Sequence, residues 1–168
     1  MTRQLSLFFL LITTLCFSQR IPKKAEKIRV RAYELSEDTF GVMAVGDTFL
    51  LDSIAITVSR RNHVIYCHTA FEKSNTKLDI KLVFDKEALI MASVTEPAPG
   101  GAEEVYRETI FYYEKSKLFY TDTRYTLLPC LAYPPDFNMI KDFGYNQYIT
   151  TQFLEGFIPL LQAKLTKQ

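Results

Sequence analysis

KLDIKLVFDKEALIMASVT, residues 77–95, decides the reading of this chain. Leu78, Ile80, Leu82 and Phe84 alternate with Lys77, Asp79 and Lys81, so one side of a strand is core and the other is wet. Asp85-Lys86-Glu87 turns the chain, and Ala88 to Thr95 returns as a second strand. The pattern predicts an antiparallel hairpin.

Working outward, a second hairpin runs from Val105 to Glu114 and back from Leu118 to Leu127. Shifted by twenty-nine places, Phe84-Asp85-Lys86 lands on Tyr113-Glu114-Lys115, and Leu89-Ile90-Met91 on Leu118-Phe119-Tyr120. We read this likeness as convergence on hairpin chemistry rather than duplication. Between the hairpins, Pro97-Ala98-Pro99-Gly100-Gly101 breaks the pattern with residues least able to continue a ladder. Upstream, Lys27 to Leu35 alternates Ile28, Val30 and Ala32 against Arg29, Arg31 and Tyr33, the period of a half-buried strand. Gly41 to Leu51 is apolar, with a turn expected at Gly46-Asp47. Ile54, Ile56 and Val58 continue the alternation. Ser59 to Asn62 reads as a hairpin tip before a strand over His63 to Phe71.

The last third differs. Leu128 to Tyr145 carries Pro129, Pro134, Pro135 and Gly144 and reads as irregular. From Asn146, the residues Ile149, Phe153, Phe157, Leu160, Leu161 and Leu165 recur at helical steps. Pro159 is expected to kink that helix or to begin a second one. The whole predicts an α+β fold: mainly an antiparallel β meander of about seven or eight strands, a twisted sheet or near-barrel, packed by a C-terminal helix.

The N-terminus carries an address. Arg3 precedes an uncharged apolar run from Leu5 to Phe17, and Cys16-Phe17-Ser18 places small residues where a signal peptidase reads. The run of about thirteen residues is short of the roughly twenty that cross a bilayer. Residues 1–18 are therefore expected to be a cleaved signal peptide, 19–27 a flexible basic leader and 28–168 a single globular domain. The Ser18-Gln19 ending suits bacterial export to the periplasm, cell surface or medium. No stable membrane span is expected after cleavage. Losing Arg3 with the signal leaves basic and acidic residues balanced at 19 each, which gives no charge excess pointing to nucleic acid. Arg20, Lys23, Lys24, Lys27, Arg29 and Arg31 crowd the mature N-terminus and read as a solvated leader. Cys67 and Cys130 remain as an even pair, the disulfide candidate in an oxidising compartment. Such a bridge would close a loop of about sixty residues and contribute roughly 4 kcal/mol.

Catalytic signatures are few. No HExxH, paired CxxC, EF-hand loop, G-x-S-x-G elbow or Gly-rich phosphate loop is present. His63 and His68 are spaced to opposite faces of one strand, and so are the neighbours Cys67 and His68. Neither a metal, a cofactor nor a Cys–His nucleophile is expected. Glu103, Glu104, Glu108 and Asp122 could pair as acids in a cleft.

Aromatic density stands above background, with Tyr106, Phe111, Tyr112, Tyr113, Phe119, Tyr120 and Tyr125 close together and no Trp in the chain. Phe111 and Tyr113 face one way on their strand, Tyr106 and Tyr112 the other. Tyr106, Tyr112, Tyr120 and Tyr125 are accordingly the candidate ligand-binding residues, since tyrosine offers apolar area with a polar tip. The functional expectation is an exported, non-enzymatic module that binds an apolar small molecule or lipid. An envelope accessory protein that meets a protein partner is the first alternative, and a hydrolase-like enzyme using acidic residues in a cleft is the second.

Overall fold

The computed structural model describes residues 21–37, 46–71, 76–98, 105–126 and 144–165. The expected signal segment, Cys130, Glu103, Glu104 and the proline-rich stretch 128–143 lie outside them. Helix α1 spans Lys23–Glu37. Seven strands follow: β1 Asp47–Leu51, β2 Ile54–Arg61, β3 Val64–Phe71, β4 Thr76–Asp85, β5 Ala88–Pro97, β6 Tyr106–Glu114 and β7 Lys117–Thr126. Helix α2, Thr151–Leu165, comes last. The strands form one antiparallel sheet in chain order, open at β1 and β7. The fold is an α+β meander, and its sheet does not close into a barrel.

The hairpin at residues 77–95 forms as expected, pairing Asp79 with Thr95 and Asp85 with Ala88. Leu78, Ile80 and Leu82 are fully buried at the centre of the sheet. Together with Ile56, Val58, Val94 and Phe111 they form the larger core, which α2 covers with Leu154, Phe157, Ile158, Leu161 and Leu165. Thr150 caps that helix, accepting from the Phe153 amide at 3.1 Å. Arg60 donates to the Leu165 carbonyl at its other end, 2.9 Å away.

Helix α1 covers the opposite side of the sheet. Ala25, Ile28, Ala32 and Leu35 pack against Val64, Val83, Met91, Ile110 and Tyr112.

Several local expectations are overturned. Residues 27–35 form helix rather than strand, and the helix takes in residues 23–27 of the expected leader. Ala25, Ile28, Ala32 and Leu35 also fit a 3.6-residue period, and only exposure separates the two readings: Val30 is 50% exposed and Tyr33 64%. The turn expected at Gly46-Asp47 falls instead at Asp52-Ser53, whose φ angles of 46° and 68° give a two-residue hairpin loop. Gly46 serves a close approach: a Cβ there would sit 2.4 Å from the Val58 carbonyl oxygen. The Ser59–Asn62 tip is shorter than expected, because β2 stays paired as far as Arg61 opposite Val64. Pro159 lies inside one helix, on an exposed position next to the solvent-facing Leu160. The apolar stripe of α2 is rotated from the expected one, leaving Phe153 and Leu160 partly exposed while Leu154 and Ile158 are buried.

The likeness of the two hairpins reaches further than their sequences. The register shifts between Val83 and Phe84 in one pairing and between Tyr112 and Tyr113 in the other. Ile90 and Phe119 are thereby left as the unpaired bulge residues, twenty-nine places apart. Both turns also receive a base from α1: Arg31 meets Asp85 at 3.1 Å, and Lys24 meets Glu114.

Candidate functional site

The strand register sorts the α1 side of the sheet into rows of side chains that run across the strands. Arg61, Val64, Val83, Met91, Tyr112 and Tyr120 form the row nearest the helix. It is largely apolar and α1 seals it. The next row is Ser59, Tyr66, Lys81, Ser93, Ile110 and Asp122. The third row crosses every strand: Thr48, Thr57, His68, Asp79, Thr95, Glu108 and Arg124. The apolar cluster of α1 takes in Tyr66 and Ile110 of the second row and no residue of the third. A cavity of about 740 Å³ lies over these two rows, with Thr57, His68, Asp79, Lys81, Ser93 and Glu108 among its walls.

Most charges in this cavity are already paired. His68 Nδ1 lies 2.7 Å from Asp79 Oδ1. An ionised carboxylate only accepts, so Nδ1 carries the proton and Nε2 is left as an acceptor in the neutral ring. Ser93 donates to Glu108 Oε1 at 2.8 Å, and the other Glu108 oxygen lies 3.7 Å from Arg124 Nε. Arg124 in turn donates to Asp122 at 3.0 Å. Lys81 is different. It sits on the central strand β4, half-buried between Tyr66 and Ser93, and its ammonium makes no hydrogen bond or ion pair among the described residues. Burial lowers its pKa, and the nearby Glu108 carboxylate partly opposes that shift.

The four candidate tyrosines are divided by the fold. Tyr112 and Tyr120 are cross-strand neighbours, with ring centroids 5.7 Å apart, beneath α1. Tyr112 is fully buried, and its hydroxyl makes no hydrogen bond among the described residues. Tyr106 shares their side of the sheet, two residues beyond Glu108. Tyr125 pairs with Arg107 on the α2 side and stands edge-on to Tyr145, centroids 5.8 Å apart. The aromatic wall of the cavity is Tyr66, and its lining includes none of these four. Of the acids considered, Glu108 reaches the cavity and Asp122 sits one row away. Cys67 points into the α2 core, and burial pushes its thiol up to about 12. Among the described residues no three His, Cys, Asp or Glu side chains converge as metal ligands would.

His68, Asp79, Lys81 and Ser93 did not stand out in the sequence as site residues. A signal was nonetheless present. Asp79 and Lys81 form the wet side of the strand with the clearest alternation, and a polar stripe on a central strand has to meet something other than bulk core.

Compared with known proteins, the chain matches no family model, no curated protein and no solved structure. Its function is therefore argued from the site alone.

Proposed function

We propose that this protein is an exported, non-enzymatic binding module that takes a small molecule in the cavity beside α1. The observation that carries the reading is the cavity itself. About 740 Å³ is the size of a small-molecule site, and it lies over side chains held in place by a rigid seven-stranded sheet. Its walls set hydroxyls and charges into a lining that is mainly apolar, which favours a ligand with polar groups on an apolar frame over the lipid expected from the tyrosines. The pairs His68–Asp79 and Ser93–Glu108 supply fixed donors and acceptors without needing reorganisation when the ligand arrives. Export rests on the pattern from Arg3 to Ser18.

Native mass spectrometry of the chain, exported through its own N-terminus and gently purified, tests this. The expected result is a mature mass beginning at Gln19 with a small adduct that is lost on unfolding. Thr57 is exposed at the cavity wall, so Thr57→Trp fills the cavity without disturbing the core and should abolish the adduct. A bare wild-type chain, or an adduct unchanged in Thr57→Trp, overturns the binding reading.

A further inference from the structure

We propose that the cavity's ligand is a hydroxylated organic acid, with its carboxylate seated on Lys81 and its hydroxyls along the third row. This rests on the cavity being the binding site and goes further by naming the ligand class.

Direct pairing on the cavity floor leads to the carboxylate. Asp79 is hydrogen-bonded to His68, Glu108 to Ser93 with Arg124 beside it, and Asp122 to Arg124. Lys81 is the charged side chain of this floor without a direct partner among the described residues, and it stands on the middle strand, where the sheet is widest on both sides. Its half-buried ammonium has lost hydration, and among the described residues the nearby Glu108 carboxylate offsets that loss only in part, with no direct hydrogen bond. An anion placed against it restores that loss, and the resulting hydrogen bond is charge-assisted.

Hydroxyl recognition follows from what flanks Lys81. In the neutral ring, His68 Nε2 is an acceptor because Nδ1 is committed to Asp79. The Asp79 carboxylate is more than half exposed and keeps spare lone pairs. Ser59 and Thr95 add hydroxyls that can donate or accept, and Tyr66 offers a ring edge beside Lys81. A sugar acid, or another polyhydroxy acid of similar size, matches this set.

A matched pair of fluorescent probes tests it. 4-Methylumbelliferyl β-D-glucuronide and 4-methylumbelliferyl β-D-glucoside share fluorophore and ring, and differ in the carboxylate. Fluorescence anisotropy with the full exported chain should show the glucuronide binding about tenfold tighter, the size of one charge-assisted hydrogen bond. Lys81→Met should bring the glucuronide down to the glucoside's affinity. Lys81→Arg, which keeps the charge and guards against a folding artefact, should retain the preference. Equal binding of the two probes to the wild type, or a preference that survives in Lys81→Met, overturns the acid assignment and leaves the cavity reading standing. Failure of both probes to bind also overturns the assignment, and the adduct experiment then judges the cavity on its own.

Discussion

Tyr112 shows how one residue can look functional in sequence and be structural in the fold. Its ring is fully buried between β5 and β7 under α1, and its hydroxyl finds no hydrogen-bond partner among the described residues. A buried, unpaired hydroxyl costs about 1–3 kcal/mol in lost hydration. Tyr112→Phe should therefore leave stability unchanged or raise it by up to about 1 kcal/mol, measured by urea denaturation. A marked loss would mean that the hydroxyl has a partner after all. Tyr113, its neighbour, points to the opposite core, where burial and Glu155 push its phenol up to about 12. Burial pushes the Cys67 thiol up to about 12 as well. Both groups hold their protons more tightly folded than unfolded, where they titrate near 10 and 8.5. Their contribution is thus full below those unfolded values and is lost as pH climbs toward 12. The urea midpoint should fall over that alkaline range, and Tyr113→Phe should make the fall shallower. An identical pH profile in the variant would show that Tyr113 has no part in it.

At the scale of elements, the problem is how two helices are fixed to opposite sides of one sheet. Helix α1 is held by small residues, Ala25 and Ala32, which let it approach the sheet closely. Exposed ion pairs to the turns at Asp85 and Glu114 orient it more than they stabilise it. The approach to α2 is fixed by a buried pair. Arg107 on β6 donates to Glu96 on β5 at 3.0 Å through Nε, and Nη2 reaches the Ile149 carbonyl, also at 3.0 Å. Glu96 is only 2% exposed and also accepts from the Asn146 amide at 3.1 Å. Arg107→Met leaves that carboxylate buried without its cation, and should cost about 3–5 kcal/mol. The double variant Glu96→Gln with Arg107→Met should recover much of it, as read by chemical denaturation of all the variants in a cycle. If Arg107→Met alone costs nothing, the pair does not latch the helix. Neither residue could be singled out in the sequence, because each sits among ordinary strand residues and its partner lies on another strand.

Across the whole molecule, the uneven cover of the sheet is what makes a site. Helix α2 buries one side with a continuous apolar stripe, while α1 shields only the rows nearest the turns at Asp85 and Glu114. The polar residues beyond the α1 cluster become the floor of a cavity. The glucuronide preference, and its loss in Lys81→Met, is the prediction that belongs to this scale. It depends on strands β2 to β6 presenting their side chains together.

The amino-acid sequence by itself determined the meander. Strand alternation is a local period of two, turn residues act within a few positions, and so β2 to β7 and the C-terminal helix could be read directly. Residues 27–35 escaped because Ile28 and Ala32 satisfy both a strand period and a helix period, and burial against Val83 and Met91 chose between them. The open edge of the sheet, the side each helix covers and the meeting of His68, Asp79, Lys81, Ser93 and Glu108 were decided only by the tertiary structure. These residues come from separate strands and are brought side by side by register. Register is a property of strand pairs and bulges, which no single stretch of sequence carries.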